Sequence, residues 1–552
     1  MTGIHKTHEV FNQPPPLSGH NLYASDRVLT EAVHREGAGW AEEELQTFGE
    51  ELGRPEILAL GVDANRQTPE LRTHDARGYR IDEVVYHPAW HELMRRGVEA
   101  EIHALPWNRP QPGAHVARAA KHFLLTQVEP GVLCPLTMTF AAVPALRCEP
   151  EVAEVWVPRA TSKVYDFGAR PANEKAGTIL GMAMTEKQGG SDVRANTTRA
   201  QPLAEGGSEY LLTGHKWFCS APMSDAFLTL AQTDAGLTCF LVPRWLPDGT
   251  RNPFHIQRLK DKLGNRSNAS SEIEYRDTWA RRLGDEGRGI PTIIEMVQHT
   301  RLDCILGSAS LARQAVAHAC HHAAHRAAFG RLLKDQPLMQ NVLADIALDS
   351  EAATVLAMRT TKTYDESEND EHERALRRVL TAIGKYWVTK RAPATVYEAL
   401  ECHGGNGFVE ESVLPRIYRE VPLLSIWEGS GNVICLDVLR AFAKEPETLP
   451  ALLDELALAR GQDRRYDSFV DTVVDSVVGE LETQAVHQAD ARRLVENLAL
   501  ALQAGLLIRH SPAAVADAFC GARLAGRGGH AYGTLPGDTA FNEIVERAMP
   551  QI

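Results

Sequence analysis

The strongest constraint on this chain is a change of hydropathic period along it, from helical to strand-like and back. Up to about residue 178, a Pro-rich arm leads into segments such as DRVLTEAVHREGAGWAEEELQTFGEELG. Their apolar side chains recur three and four apart, as on one face of a helix. From about 179 to 285 the chain carries short β-branched or aromatic runs, EYLLTGHKWFCS, AFLTLAQT, LTCFLVPRW and SEIEYRD, separated by Gly, Pro, Asn and Asp. Those runs predict a small antiparallel, barrel-like β domain. From about 286 to 445 long helical periods return, and the last ends at Gly404–Gly405, a pair suited to a helix C-cap. The acidic run 365–373 reads as an exposed helix end or loop, and a further helical region follows EPETLP over 446–552. The expected fold class is mainly α with a central antiparallel β domain, in four parts at 1–178, 179–285, 286–445 and 446–552.

A length of 552 residues calls for more than one core. The formal net charge of -14 argues against bulk attraction to nucleic acid or to an anionic membrane. No uninterrupted apolar run of about 18 residues occurs, so no membrane span is expected. MTGIHKTHEVFNQPPP at the start lacks the apolar core of a secretory signal, which leads us to expect a cytoplasmic protein. The nine cysteines are scattered with no CxxC pair, so reduced thiols are expected, with neither a disulfide framework nor a thiolate zinc site.

Five segments draw attention as chemistry. GMAMTEKQGGSDV (181–193) combines small residues with the hydroxyls of Thr185 and Ser191, although alone it reads equally well as a Gly-rich turn. GHKWFCS (214–220) places Phe218 and Ser220 on one strand face, able to wall a ring and bond its edge, or simply to form a half-buried strand. RAAFGRLLKDQPLMQ (326–340), ECHGGNGF (401–408) and SIWEGSGNV (425–433) are each weak in isolation. Neither the Rossmann nor the P-loop pattern is present. His318, His321, His322 and His325 form i,i+4 pairs that suggest metal ligands, but a helix with solvated histidines is the favoured reading, so no metal site is expected.

In order and spacing the five segments resemble the fingerprint of the acyl-CoA dehydrogenase superfamily. TEKQGGSD is similar to its flavin loop, GHKWFCS to its flavin strand with Phe218 in the usual Trp position, and GGNGF is unchanged. SIWEGSGN resembles the segment holding the family's base, with Trp427 for Tyr and Ser430 for Thr. HEVFNQPPPLSGHNLYASDRVLTEAVHREGAGW, LCPLTMTFAA and RLKDKLGNRSNASSEIEY point more narrowly to the AidB-like, alkylation-response branch. The resemblance implies the acyl-CoA dehydrogenase fold plus an extra C-terminal helical domain, with FAD as cofactor and an acyl-CoA or related substrate.

It also implies roles. Glu428 becomes the base, with its pKa expected to be raised in an apolar pocket beside Trp427, and Arg301 its orienting partner or a substrate polariser. Met184, Thr185, Gly190, Ser191, Phe218 and Ser220 hold the flavin, and Trp427, Ser430 and Asn432 close the site. Arg326, Phe329, Gln336, Gly404 and Gly405 reach the cofactor of a neighbouring protomer, which implies a homo-oligomer, most simply a tetramer. The branch also implies a DNA-associated protective role with weak dehydrogenase activity. The C-terminal part opposes this, because residues 445–552 hold sixteen acidic residues against nine arginines and no lysine.

Overall fold

The computed structural model describes residues 7–482 and 488–551; the first six residues of the opening segment lie outside them. The chain forms two compact units. One comprises Glu56–Asp303 with Glu428–Ser430, the other Met1–Pro55, Cys304–Trp427 and Gly431–Ile552. Each is described by itself below.

The first unit opens with a feature the helical reading of residues 1–178 did not contain, a hairpin of strands β1 (Glu70–His74) and β2 (Arg80–Val85). Its turn is built by Asp75, whose carboxylate accepts from the backbone N–H of Arg77 and Tyr79, and by Gly78 at φ +85°. That is ordinary Asp-x-x-Gly turn chemistry. Among the helices that follow are Ala114–Thr126 and Pro130–Leu146, and every residue of the former is buried.

The β domain consists of β3 (Leu180–Ala183), β4 (Arg199–Pro202), β5 (Glu209–Ser220), β6 (Ala226–Thr233), β7 (Gly236–Pro243), β8 (Phe254–Leu259) and β9 (Ser270–Leu283). They form one sheet in the order β3-β6-β4-β5-β9-β7, with β8 added against β9, and a β6–β7 pairing closes the path. The long pairings, β5 with β9 and β6 with β7, are antiparallel, while β3 and β4 each meet β6 in parallel. The β5–β9 register is interrupted between Lys216 and Cys219, then resumes with Cys219 opposite Ser271 and Ser220 opposite Ser270. A bulge there re-aims the side chains at the end of the strand.

Charge is buried inside this unit. The Arg118 guanidinium, 1% exposed, grips both carboxylate oxygens of Asp303, and the Thr137 hydroxyl donates to the same carboxylate. Desolvation acts upward on the Asp303 carboxyl, but Arg118 and His122 outweigh it and hold its pKa below the usual range.

The second unit is helical. Its long helices are Pro337–Glu366 and Glu371–Glu401, with Gly431–Lys444 and Ala491–His510 packed on the latter. The acidic run does form a helix end: Asp370 caps the second helix by accepting from the N–H groups of His372 and Glu373. Glu373 departs from the exposed reading. It is buried and takes two hydrogen bonds from Arg359, which also binds Glu455. After the Glu371–Glu401 helix, Gly404 adopts φ +58°, the left-handed conformation that favours glycine at a helix end.

Removing one partner of the Arg118–Asp303 pair leaves a buried charge uncompensated. Asp303→Ala should therefore destabilise the protein by about 3–5 kcal/mol, read as a lowered urea midpoint. A loss below about 1 kcal/mol, the level of a surface pair, would show that the pair is not desolvated.

Candidate active site

Glu428 sits in an uncommon backbone conformation, φ +56°, followed by Gly429 at φ +102°. A non-glycine residue in the left-handed region costs free energy and is retained only where its surroundings impose it. Two residues of the Gly289–His325 helix do so. The Thr300 hydroxyl lies 2.7 Å from Glu428 Oε2, and Arg301 Nε donates to the Glu428 carbonyl at 3.0 Å. Thr300 and Arg301 are buried, and Glu428 and Gly429 are half-buried. The carboxylate is thus aimed by one neighbour and its backbone by the next. Sequence reasoning named Arg301 but not Thr300, although Thr300 precedes it directly and has the hydroxyl a carboxylate needs.

The Gly-rich segment follows β3 as a loop. Thr185 O accepts from Trp217 N–H at 2.8 Å, and Met184 O accepts from Asn196 Nδ2 at 3.0 Å. Gly190 turns back on Thr185 so closely that a Cβ there would stand 2.4 Å from Thr185 Oγ1. Ser191 is exposed at the loop tip. Beneath, Glu186 and Lys216 form a fully buried ion pair at 2.8 Å. Glu186 also accepts from Thr197 and Thr198 backbone N–H groups, and Lys216 donates to Leu230 O at 2.8 Å. Burial pushes the Glu186 carboxyl up, yet Lys216 and those hydrogen bonds prevail and hold it at about 2. The sequence reading used neither residue as a site residue, although each lies inside a motif it singled out.

Past the bulge, Phe218 is exposed and Ser220 half-buried, flanking buried Cys219. Cys134, in the Pro130–Leu146 helix, links the two halves of this site. Lys262, Ser220 and Asn268 act to lower its thiol pKa and Glu428 acts to raise it. Burial raises that thiol to about 11, so it stays protonated near neutral pH. The structure thereby brings Met184, Thr185, Gly190, Ser191, Phe218, Ser220, Arg301, Glu428 and Ser430 into the first unit.

The remaining site residues belong to the second unit. Trp427 O accepts from Lys385 Nζ at 2.9 Å, while its buried indole Nε1 has no hydrogen-bond partner among the described residues. Asn432 Oδ1 accepts from Arg492 Nε at 2.7 Å. Arg326 donates to Asn12 O at 2.5 Å, and Asn12 pairs with both backbone groups of Ala327, so the N-terminal arm lies along this motif. Gln336 Nε2 holds Ala328 O at 2.9 Å. Phe329 is 100% exposed, and a Cβ at Gly404 or Gly405 would meet no described atom within 4 Å.

The histidine reading needs correction. His321 and His322 are buried, not solvated, and burial pushes His322 down to about 4, so its ring is neutral. His322 stacks near His403 with ring centroids 4.3 Å apart. Among the described residues no group of three or more His, Cys, Asp or Glu is placed to hold a metal. Eight of the nine cysteines are buried, Cys148 being exposed.

Residues 12–167 match the family described as Adaptive response protein AidB N-terminal domain. Residues 181–278 match the acyl-CoA dehydrogenase middle domain, and 287–443 the acyl-CoA dehydrogenase C-terminal domain. The chain is 46% identical over 528 residues to AidB of Escherichia coli (strain K12), covering 95% of this chain and 96% of that protein. It is 29% identical over 536 residues to acyl-CoA dehydrogenase family member 11 of Caenorhabditis elegans, covering 91% and 86%. The solved structure of Caenorhabditis elegans ACDH-11 in complex with C11-CoA has a TM-score of 0.85 at 27% identity, covering 95% of each chain. An acyl-CoA dehydrogenase from Bacillus anthracis complexed with FAD shares the fold, with a TM-score of 0.64 at 19% identity over 83% of this chain and 82% of that one. No helix among the described residues is long and apolar enough to cross a membrane. The chain therefore belongs to the acyl-CoA dehydrogenase family, in its AidB branch, and is an oxidoreductase of that type.

Proposed function

We propose that the chain is an FAD-dependent dehydrogenase of acyl-CoA thioesters in which Glu428 removes the α-proton. The observation that carries this is the grip of Thr300 and Arg301 on Glu428 in a left-handed conformation, beside a thiol shared with Ser220. The C11-CoA complex of Caenorhabditis elegans ACDH-11 supports an acyl-CoA substrate. Trp427, bulkier than the family's usual Tyr, would narrow the acyl channel. The residues present fit FAD. In one unit Thr185 and Ser220 offer half-buried hydroxyls to a ring edge; in the other the Trp427 indole N–H is buried and unpartnered among the described residues, and Gly404–Gly405 leave room for the cofactor of a neighbouring protomer. Met184, Gly190, Ser191 and Phe218 would complete the flavin wall, with Ser430 and Asn432 closing the site.

When bound, FAD supplies the acceptor for the hydride that leaves the β-carbon. Glu428 accepts the α-proton on its carboxylate, and Arg301 keeps the backbone beneath it fixed. Arg326, Phe329 and Gln336 would serve the cofactor of a second copy, within a homotetramer. Exposed Phe329, Leu338 (81%) and Phe408 (82%) in and beside these motifs are apolar side chains that such a contact would cover. We keep the four-part division at 178, 285 and 445 as the functional layout.

Purified protein should be yellow and release FAD on denaturation; a colourless preparation that cannot be reconstituted would overturn the cofactor reading. Glu428→Gln should keep FAD while slowing reduction by acyl-CoA roughly 10²–10⁴-fold, the usual contribution of a general base. Bleaching at the parent rate in anaerobic titration would place the base elsewhere.

A second reading, a DNA-associated protective flavoprotein, draws on the adaptive-response description of the N-terminal match. Four arginines, Arg440, Arg460, Arg464 and Arg465, could face a duplex; Arg464 is exposed, and the others are engaged, Arg460 with Asp471, Arg465 with Asp463 and Asp517, and Arg440 with Asp437. With a net charge of -7 over residues 445–552, we expect weak binding to a random duplex. That binding should collapse between about 50 and 200 mM salt in fluorescence anisotropy. Tight binding at the higher salt would put the DNA reading first.

A further inference from the structure

We propose that Lys262 is a positioning residue that acts through Ser270 on Ser220 and fixes the Ser220 hydroxyl as a donor toward the bound cofactor. This rests on the reading of the chain as FAD-binding.

The segment from Lys262 to Ser270 joins β8 to β9 and is tightly built. Asn265, at φ +53°, accepts from Asn268 through both its side chain (3.0 Å) and its backbone carbonyl (3.2 Å). Ser267 Oγ donates to Glu129 Oε1 at 2.8 Å, and the same oxygen accepts from Gly131 N–H at 2.9 Å, so the loop and the start of the Pro130–Leu146 helix share one carboxylate. The two are as close as backbone allows: a Cβ on Gly131 would stand 1.9 Å from Ser267 Oγ. One turn further along that helix is Cys134. Across this frame Lys262 Nζ donates to Asn268 O at 2.5 Å and to Ser270 Oγ at 3.0 Å. Ser270 faces Ser220 in the strand register, with the two hydroxyl oxygens 3.4 Å apart.

Donor and acceptor counting then sets a direction. An ammonium only donates, so Ser270 Oγ accepts from Lys262 and keeps one proton to give. The 3.4 Å contact admits either hydroxyl as donor, and we take Ser270 as the donor to Ser220 Oγ, which leaves the Ser220 proton for a further acceptor. Cys134 is a poor candidate, because its thiol remains protonated and sulfur is a weak acceptor. The acceptor of full strength is the edge of the ring that Ser220 is assigned to hold. A donor there, backed by a fixed positive charge, favours the reduced cofactor, which carries more electron density than the oxidised one. Lys216 has a different part, since its ammonium is locked to Glu186 beneath the loop.

The test compares full-length parent, Lys262→Met, Lys262→Arg and Ser270→Ala, each loaded with FAD. Flavin per chain, melting temperature and flavin midpoint potential are measured, the last by reductive titration against reference dyes. We expect Lys262→Met to lower the potential, equivalent to an on-the-order-of-tenfold loss in preference for reduced over oxidised FAD, about one ordinary hydrogen bond. Ser270→Ala should shift it the same way by less, and Lys262→Arg should retain it. Unchanged potential in Lys262→Met at full flavin occupancy overturns the proposal. So does a loss confined to occupancy or melting temperature, which is what a merely structural role would give. Should Lys262→Met not fold, Lys262→Gln carries the same comparison. A parent chain that binds no FAD overturns the cofactor reading itself, and that is seen before any variant is compared.

Discussion

The buried Glu186–Lys216 pair is the contact on which the candidate site hangs. It joins a loop held by only a short Glu186–Gly189 bridge and a 3-10 turn at Val193–Ala195 to the strand that must face it, at zero exposure on both side chains. Such a pair is not a cheap source of stability, because desolvating two charges roughly cancels their attraction. Its value is specificity. Five further hydrogen bonds saturate the two groups, from Thr197, Thr198 and Gln188 to Glu186 and from Lys216 to Leu230 O. Thr185 O is then brought to Trp217 N–H, and the Thr185 hydroxyl is held near the end of β5.

The same economy governs Glu428. Its left-handed backbone is strained, and the strain is offset by two hydrogen bonds from adjacent positions of one helix. Two residues further along that helix, Asp303 is clamped by Arg118 and Thr137. The segment that presents Thr300 and Arg301 is therefore anchored by buried charge at its next turn. The Glu428 carboxylate thus sits on a rigid support.

The helical unit shows a complementary pattern. Its motif residues are mostly exposed or bonded to the N-terminal arm, and large apolar side chains stand in solvent beside them. His321 and His322 behind Arg326 are buried, burial lowers the pKa of both rings, and His321 carries the arm at Pro15 O. Among the described residues, buried His321 and His322 lie on one side of this segment, while Phe329, Leu338 and Phe408 are exposed.

The architecture was legible because period is a local property. Strand runs and helical faces are written in consecutive residues, and so are the five motifs with Glu428, Thr185 and Ser220 inside them. The Asp75–Gly78 turn was equally local but was overlooked within a long helical stretch. What no local pattern carries is which distant groups meet. Cys134, Ser220, Lys262 and Glu428 are far apart in sequence and converge only because the β5–β9 register and the Glu129 bridge bring them together. Glu373 and the histidines read as solvated from composition and are buried by tertiary packing. The sequence by itself determined the family, most of the elements and the motifs that carry the candidate site residues. Only the tertiary structure decided their partners, because hydrogen bonds and desolvation depend on distance in space and not along the chain.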